Sequence, residues 1–374
     1  MKNYFSVRPT RDAGARGFTL LEFLVSMAVF TVVTGSVFSL FRKDDPLFNQ
    51  QQNVSVLNIA LQNSITQIQS DGVNAGSGYY AGTNIPSFPV GVTIAENMVA
   101  GVVTAPAVGD CGDNTTFLYH ADCFDTLNII TTDPNTPPQH LGALNGTIDT
   151  TTGTLVLYTP TVITNAAAKL VAAQYKSGDT LLLLASDGSQ MTTVTLTANA
   201  PVPGGTTVTI NYTAQTTPGV NPTDPYLMTK HSGGITDNQS TQIGNVFGNI
   251  DWILRLQPIV YSVDDSNPAD PKLIRTAAGT SDVVAEQVVG FKVGASTANK
   301  LDTLDGSYSY DASTFGSTGF DFSIVRSIRV TLIARTPPSA GSASATLNSY
   351  DSGPYKIQGL STVINPRNLS MGDN

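Results

Sequence analysis

The chain has few of the side chains from which most catalytic and metal sites are built. Its 374 residues include three histidines and two cysteines, and only 13% of them are charged. The sequence contains no G-x-S-x-G, H-E-x-x-H or G-x-x-x-x-G-K motif, so the common serine-hydrolase, zinc-protease and P-loop signatures are missing. The histidines lie in loop-like sequence without partners for a catalytic triad: His120, His140 and His231. We therefore expect no enzymatic activity, no cofactor and no metal site.

Positive charge is also scarce. There are 19 Lys and Arg residues against 28 Asp and Glu, which gives a formal net charge of −9. The first 17 residues carry four basic side chains against Asp12, so removing their net charge of +3 leaves −12 for residues 18–374. Phosphate binding requires clustered Lys and Arg, so nucleic acid is not an expected partner.

One long apolar run is present, from Phe18 to Phe41, and it ends at Arg42-Lys43. Its 24 residues are enough to cross a bilayer as a helix. Its one ionisable residue is Glu22, and a carboxylate inside a membrane costs at least about 2.5 kcal/mol, which makes Glu22 a candidate functional residue. A simple signal anchor explains the length of the run but not Glu22, and a cleaved secretory signal has a shorter apolar core.

The charges around this run predict its orientation. Four basic residues precede it, whereas Arg42-Lys43 behind it is offset by Asp44-Asp45. An excess of Lys and Arg marks the cytoplasmic side. We expect a single-pass protein with a cytoplasmic N-terminus and an exported body.

The residues at the start of the run carry a family resemblance. Gly-Phe-Thr-Leu-Leu-Glu at residues 17–22, ahead of an apolar helix, resembles the class III signal of type IV pilins and pseudopilins. The resemblance implies a leader at 1–17, cleavage after Gly17 by a prepilin peptidase, and N-methylation of Phe18. It also implies anchoring in the bacterial inner membrane and an assembly role for Glu22. The implied partners are that peptidase, other minor pilins, the major pilin and inner-membrane lipid.

A second helical pattern follows the apolar run. Asp45 and Pro46 predict a helix start, with Asp45 as the N-cap and Pro46 at the first helical position. Apolar residues then recur at three- and four-residue steps: Val54, Leu57, Leu61, Ile65 and Ile68. We expect a membrane half at 18–43 and an extracytoplasmic amphipathic half at 44–72, with a bend or a break at Pro46.

Residues 73–374 are expected to form a β-rich head. Residues 73–165 have weak periodicity and predict a loop-rich insertion with short strands. Residues 176–215 predict a small antiparallel sheet or partial barrel, with strands at 180–184, 191–197 and 206–212. A core sheet is expected over 250–368, with strands at 259–263, 272–275, 324–335 and 355–364 and a strand-like end to 283–293.

The alternation within 324–335 predicts which side chains are buried. Ile328, Val330 and Leu332 fall on one face and Arg335 on the opposite, solvated face, as in an antiparallel sheet. Arg326 interrupts the apolar face, so we expect it to pair with a carboxylate or to lie at an edge.

The two cysteines predict a disulfide. Cys111 and Cys123 are separated by eleven residues, and a close pair in an exported chain favours a bridge. The loop-entropy model assigns such a bridge about 3 kcal/mol. The alternative is a metal site with His120 and His140, but the spacing matches no zinc pattern.

Two acidic stretches are candidate calcium loops. Neither fits the regular twelve-residue calcium-binding loop, so solvated turns are favoured over metal sites. The residues are Asp264, Asp265 and Asp270 in the first stretch and Asp302, Asp305 and Asp311 in the second.

Three further pieces, in this order, resemble PilW-type minor pilins. They are Gly178-Asp179 ahead of a strand, Tyr261-Ser-Val followed by Leu273-Ile-Arg275, and 288–293 ahead of 326–333. The resemblance implies an α+β fold, with a long N-terminal membrane-spanning helix packed on a β-rich antiparallel head.

The same resemblance implies a role in starting or capping a pilus. Because the head is large, we expect a low-copy minor pilin at the tip of a type IV pilus, in the periplasm and on the cell surface. The alternatives are a large pseudopilin of a type II secretion system and a membrane-anchored surface binding protein.

Overall fold

The computed structural model of the chain describes residues 19–78, 91–96, 118–119, 124–141, 153–158, 164–186, 191–212, 247, 251–297, 325–337, 348, 352–367 and 369. Packing divides the chain into two compact units, Met1–Ser55 and Val56–Asn374. The boundaries predicted at residues 17, 43 and 72 follow hydropathy and helix signals, whereas this division follows packing contacts. The two kinds of boundary therefore describe different properties of the chain.

A single helix, α1 (Leu20–Val73), covers both predicted helical halves. It continues through Asp45 and Pro46, so the prediction that a second helix begins there is wrong. A proline inside a helix lacks one backbone hydrogen bond and costs about 3 kcal/mol. The helix is 54 residues long, and the turns on both sides of Pro46 retain their own hydrogen bonds, so one missing bond does not end it.

Within the second unit, α1 packs on the sheets through a stripe of apolar side chains. Leu57, Leu61, Ile65 and Ile68 are buried and share one core with strands of two sheets. The predicted stripe is confirmed at these four positions, and Val54 is half-buried. Full burial of such a side chain contributes about 1.5–3 kcal/mol, so this stripe is a main attachment of the helix to the head.

Thirteen strands are found in the described residues. In chain order they are β1 (Val92–Glu96), β2 (Asp125–Thr132), β3 (Gln139–Leu141), β4 (Thr154–Tyr158), β5 (Thr180–Leu184), β6 (Met191–Thr195), β7 (Val208–Asn211), β8 (Trp252–Asp264), β9 (Lys272–Ala277), β10 (Thr280–Glu286), β11 (Val288–Thr297), β12 (Val325–Arg335) and β13 (Ile357–Ile364). A short helix, α2 (Asn165–Ala172), lies between β4 and β5, and the Thr164 hydroxyl caps it by accepting from Ala167 N at 3.3 Å.

The long strand β8 belongs to two modules. Its C-terminal half is the centre of an antiparallel sheet with the order β1-β2-β8-β9-β10. Its N-terminal half pairs with β3 on one side and β5 on the other. The strand predicted at 259–263 is therefore confirmed only as the end of a longer element.

The N-terminal half of β8 completes a small antiparallel barrel with β3, β4, β7, β6 and β5. The ring closes between β6 and β7 through a bridge between Leu196 and Tyr212 and a bond from Thr197 N to Asn211 O at 3.1 Å. The barrel has its own apolar core, which includes Tyr175. The predicted barrel strands are confirmed, but β3, β4 and β8 from outside 176–215 are needed to close it.

The leucine run in β5 is explained by burial on both faces. Leu181 and Leu183 point into the barrel core, whereas Leu182 and Leu184 belong to the core shared with α1. Neighbouring residues of a strand face opposite sides, and a strand covered on both sides is apolar throughout. On β8, Ile253 belongs to the barrel core, whereas Leu254 and Leu256 belong to the core shared with α1.

The strands β11, β12 and β13 form a separate antiparallel sheet with β12 in the centre. Ile328, Val330 and Leu332 are fully buried, which confirms the predicted apolar face of β12. The strands of the expected 250–368 core sheet are thus shared between two sheets. Both sheets contribute to the core that covers α1.

Two arginines of β12 are buried. Arg335 is 2% exposed, so the prediction of a solvated position is wrong. Its guanidinium lies 4.9 Å from the ring centroid of Tyr355 and 5.5 Å from that of Tyr119, and cation–π attraction offsets part of its desolvation. Arg326 is 6% exposed and donates to the carbonyl oxygen of Val325 at 3.1 Å.

The interpretation of 73–165 as an insertion also needs correction. This range contains β1, β2, β3 and β4, and β2 pairs with β8 in the main sheet. Leu127, Ile129 and Ile130 on β2 are fully buried in the core shared with α1. The adjacent burial of Ile129 and Ile130 breaks strict alternation, which explains why the periodicity of this strand was weak.

Candidate functional site

The start of α1 is closed by a reciprocal pair of hydrogen bonds between Thr19 and Glu22. Glu22 Oε2 accepts from Thr19 N and from Thr19 Oγ1, both at 3.0 Å, and Glu22 N donates to Thr19 Oγ1 at 3.3 Å. This is a capping box, which satisfies backbone N–H groups that a helix start leaves unbonded. Sequence reasoning missed it, although T-x-x-E is its signature. Gly17 and Phe18, the predicted processing residues, lie outside the described residues.

The segment Leu20–Arg42 is apolar and long enough to cross a membrane. It has 23 residues with a mean hydropathy of 2.0, and no residue of its most apolar 18-residue stretch is buried inside the protein. Phe30, for example, is 70% exposed. Soluble surfaces rarely expose contiguous apolar patches of this size, so the segment requires lipid or other apolar helices around it. Glu22 lies near its N-terminal end.

Asp71, in the last turn of α1, ties the helix to the head. Arg275 on β9 donates to it from Nε at 2.7 Å and from Nη2 at 3.3 Å, and the Tyr261 hydroxyl on β8 donates at 2.5 Å. The side chains of Asp71 and Arg275 are only 12% and 22% exposed. The helix dipole disfavours a carboxylate at this end, so Arg275 and Tyr261 supply the compensating interactions. Tyr261 and Arg275 belong to the pieces that resemble PilW-type minor pilins.

The contacts with Asp71 raise the pKa values of both of its partners, Tyr261 and Arg275. Burial raises the pKa of Tyr261, and the hydrogen bond to Asp71 raises it further. The hydrogen bond to Asp71 also raises the pKa of Arg275. Tyr261 therefore stays protonated and Arg275 stays charged, which are the two states in which they donate to Asp71.

A second charged cluster joins the barrel to the main sheet. Arg255 on β8 donates from Nη1 to Asp133 at 3.0 Å and from Nη2 to Asp179 at 2.9 Å. Asp133 directly follows β2, and Asp179 directly precedes β5. Gly178 has a φ of +87°, which favours glycine, and this turn lets Asp179 accept from Lys176 N at 2.6 Å. Gly178-Asp179, one of the pieces in the resemblance described above, thus forms the turn from which Asp179 reaches Arg255.

Asp125, at the start of β2, joins the two sheets and is fully buried. It accepts from Lys292 Nζ at 2.7 Å and from Val293 N at 2.8 Å. Burial raises the pKa of Asp125, while Lys292 and the bond from Val293 act to lower it. Phe124 and Phe291 form a parallel bridge beside this pair. The Asp125 side chain is fully buried and that of Lys292 is 26% exposed, so we expect loss of Lys292 to leave a buried carboxylate without its counter-charge and to weaken the junction.

The remaining candidate residues show no catalytic or metal-binding arrangement in the part of the chain that the structure describes. His140 on β3 packs against Trp252 with ring centroids 3.7 Å apart. Asp264 accepts from Ser266 N at 3.0 Å, and Asp270 pairs with Lys272 at 3.3 Å. Across the described residues, no group of three or more His, Cys, Asp or Glu side chains is placed to hold a metal ion.

Several predicted sites fall outside the described residues. They are Cys111, Cys123, His120, His231 and the acidic stretch with Asp302, Asp305 and Asp311. The disulfide between Cys111 and Cys123 therefore stays a prediction.

The N-terminal residues match a known motif. The family model "Prokaryotic N-terminal methylation motif" matches residues 13–38. The chain has a pilin-like N-terminus. The motif match confirms the class III signal predicted from residues 17–22, and this signal implies processing by a prepilin peptidase. Together with the apolar start of α1, it is consistent with anchoring in the inner membrane before assembly.

The chain was also compared with solved structures and with curated proteins. The chain is similar to a type IV-like pilin from Thermus thermophilus, with 13% identity, 55% of this chain and 94% of that chain covered, and a TM-score of 0.18. No curated protein matches the chain. The fold itself is the expected one, with a long N-terminal helix followed by antiparallel sheets.

Proposed function

We propose that the chain is a minor pilin of a type IV pilus, a low-copy structural subunit that primes assembly and occupies the tip. The observation that carries the proposal is the methylation motif at residues 13–38, which leads directly into an apolar helix. In this proposal the prepilin peptidase cuts after Gly17, and Phe18 becomes the methylated N-terminus. The role is structural and not enzymatic.

Glu22 is the proposed assembly residue. Its carboxylate is exposed and lies in the first turn of α1, held by Thr19. A charge in lipid requires a partner, and the α-amino group of a processed neighbouring subunit supplies one because methylation keeps its positive charge. In this proposal that pairing draws the next subunit into register.

The size of the head favours a tip position. The unit Val56–Asn374 contains two apolar cores, one for the sheets on α1 and one for the barrel. Packed helices lie about 8–10 Å apart, so heads of this size would crowd one another in a repeating shaft. At the tip a single large head has open space. The proposed neighbours are other minor pilins and the major pilin, first in the inner membrane and then in a pilus that crosses the periplasm to the cell surface.

Deletion of the gene tests this proposal. We expect fewer pili per cell, counted by electron microscopy, with an unchanged amount of the major subunit in the membrane fraction. Complementation with the wild-type gene is the control and should restore the number. Normal piliation together with loss of exoprotein secretion would contradict the proposal and support a large pseudopilin of a type II secretion system.

A further inference from the structure

The strand β13 forms a sheet edge that lacks the features that usually protect such an edge. It pairs with β12 alone, and no backbone group among the described residues bonds its other side. Its eight residues include no charged residue and no proline, and its register with β12 has no shift. Exposed edges pair readily with other chains, so proteins usually protect them with charges, proline, bulges or a covering element.

The edge of the main sheet provides a comparison within the same protein. β10 lies at that edge and carries Asp282 and Glu286, and its register with β9 shifts between Val283 and Ala285. Charges and a bulge are two of the features that keep an edge strand from pairing with another chain. The edge at β10 is therefore protected, whereas the edge at β13 is open.

The backbone groups that β13 offers to a partner follow from its pairing with β12. Thr336 N donates to Lys356 O at 2.8 Å, and the pairing continues without a shift to the end of the strand. Hydrogen-bonded and non-hydrogen-bonded pairs alternate along an antiparallel ladder, so every second residue of β13 directs its N–H and C=O to the open edge. Of these four residues, only the first is half-buried and the others are exposed: Ile357, Gly359, Ser361 and Val363.

Gly359 has no side chain, although the fold of this chain does not require a glycine there. Its φ is not positive, and a Cβ at this position would meet Ile333 at 3.6 Å, an ordinary contact. By contrast, a Cβ at Gly290, which pairs with Ile333 from the other side, would come within 3.2 Å of it. A glycine inside a strand weakens the strand and often marks a place where another backbone approaches closely.

A second copy of the chain does not fit this edge. A closed dimer through β13 pairs two identical strands in the antiparallel sense about a two-fold axis. In one copy this reverses the end of α1, which is joined to β13 by the bond from Gln69 Nε2 to Thr362 Oγ1 at 2.9 Å. Subunits anchored in one membrane by the same helix point in the same direction, so the partner strand belongs to a different chain.

We propose that β13 is the docking edge for a β-strand from the head of a different pilin-like subunit. The partner strand extends the three-stranded sheet and bonds the outward N–H and C=O groups of β13. It is uncharged where it lies beside Gly359, Ser361 and Val363. A large apolar or aromatic side chain of the partner lies opposite Gly359 and covers it, in contact with the half-buried Ile333. The proposal names a partner surface for the proposed assembly role and rests on that role.

Hydrogen exchange tests whether the edge is open. In the full-length protein in phospholipid nanodiscs, the amides of Gly359, Ser361 and Val363 should exchange at least about tenfold faster than those of Leu360 and Thr362, which bond β12. Mass spectrometry with single-residue resolution measures both sets. Equal protection of the two sets would show that the chain itself or a second copy covers the edge, and it would overturn the proposal.

Photo-crosslinking in cells tests the identity of the partner. A diazirine-bearing aliphatic residue replaces Val363, and the matched control places it at Val283, the exposed valine of the protected edge. We expect a discrete adduct at position 363 alone. Sequencing of the crosslinked peptide should identify a non-helical segment of another protein that carries a class III signal. An adduct with a second copy, within the chain or on a helix, equal yields at both positions, or no adduct would overturn the proposal.

A substitution in the Val363-labelled protein tests the pairing itself. Ser361→Lys adds a charge that disfavours strand pairing, so the adduct should fall about tenfold. The control is Ser361→Ala, which removes the hydroxyl that accepts from Thr331 at 3.2 Å but leaves the edge uncharged, and its adduct should stay within about twofold of the unsubstituted level. Circular dichroism should show that both variants fold. An unchanged adduct in folded Ser361→Lys would overturn the proposal.

The outcomes of this test and of the gene deletion are separate. A subunit of a type II secretion system also meets neighbours that carry a class III signal, so the adduct at position 363 is expected for either assembly. Normal piliation after deletion would therefore contradict the minor-pilin function without removing the docking edge, and a missing adduct would remove the docking edge without changing the expectation for pilus number.

Discussion

At the scale of single residues, Glu22 combines a role within its own helix with a proposed role toward a neighbour. Within the chain it closes the capping box with Thr19. Toward a neighbour it offers a negative charge at the N-terminal end of the apolar segment. The first role depends on hydrogen bonding and the second on charge, so substitutions separate them.

We predict that Glu22→Ala and Glu22→Gln both insert into the membrane but enter filaments poorly. Glutamine also serves at this position of a capping box, so Glu22→Gln keeps the helix start while removing the charge. The measurement is the fraction of each variant in sheared pili relative to the membrane, by immunoblot. Normal incorporation of Glu22→Gln would show that the charge is not required.

Gly17 gives a second prediction at this scale. A small residue is needed at a tight peptidase site, and a β-branched side chain should block cleavage. Gly17→Val should accumulate in the membrane as uncleaved precursor, whereas the wild-type protein should begin at Phe18 and carry an N-methyl group. Intact-mass spectrometry measures both. A mature N-terminus beyond residue 40 would contradict the signal.

The N-terminal motif was predictable because its chemistry is local: residues 17–22 carry it within six consecutive positions. The partner of Asp71 was not predictable, because Arg275 lies 204 residues away in the chain. Arg335 was misplaced for a related reason. The alternation within residues 324–335 places Arg335 on the solvated face, but in the structure the rings of Tyr119 and Tyr355 cover its side chain.

At the scale of elements, the contact between α1 and β9 is expected to stabilise the head. Asp71→Asn removes the charge that Arg275 faces, and hydrogen bonds to charged groups contribute about 1.5–3 kcal/mol. We predict a loss of about 2 kcal/mol in the free energy of unfolding, since the pair is mostly shielded from water. Urea unfolding of the full-length protein, followed by the fluorescence of its single tryptophan, Trp252, measures this loss.

The matched control for this prediction is Asn63→Asp, an isosteric exchange of amide and carboxylate on the same helix. Asn63 is exposed on α1, and exposed substitutions usually change stability by less than about 0.5 kcal/mol. Arg275→Gln should destabilise to a similar degree as Asp71→Asn, and the double variant should lose less than the sum of the two. Equal effects of Asp71→Asn and Asn63→Asp would show that the contact between Asp71 and Arg275 contributes nothing.

Strand prediction succeeded where one face is buried and failed where pairing joins distant segments. β12 alternates between fully buried and more exposed side chains from Ile328 to Ala334, and it was predicted within one residue of its start. The strands before residue 165 lack that regularity, and β3 is only three residues long. The pairing of β3 with β8 brings together residues more than 100 positions apart, and no periodicity records such a partner. Pro46 led to an incorrect helix boundary. Asp45-Pro46 is typical of a helix start, but in the structure it lies inside the continuous helix α1.

At the scale of the whole molecule, buried tyrosines couple stability to alkaline pH. Burial raises the pKa of Tyr175, Tyr212 and Tyr261 above the ordinary value of 10. Because the folded pKa values exceed the unfolded ones, the folded state binds more protons above that value. The stability from these groups is complete below about pH 10 and is lost as the pH rises further.

We therefore predict that the urea midpoint is flat up to about pH 9 and falls by about pH 11. Tyr212→Phe should keep the stability at neutral pH and reduce the alkaline loss, since no described residue hydrogen-bonds its hydroxyl. Tyr261→Phe should lower the stability already at neutral pH, because it removes the bond to Asp71. A midpoint that does not change up to about pH 11 would contradict the raised pKa values.

The central claim is that this chain is a low-copy subunit at the pilus tip. Quantitative mass spectrometry of sheared, purified pili, with isotope-labelled peptides from this chain and from the major subunit, tests it most directly. A tip position predicts that this chain is present, that its ratio to the major subunit is far below one, and that this ratio falls as mean pilus length increases. A ratio near one would contradict the tip position, and absence from pili would contradict the minor-pilin function.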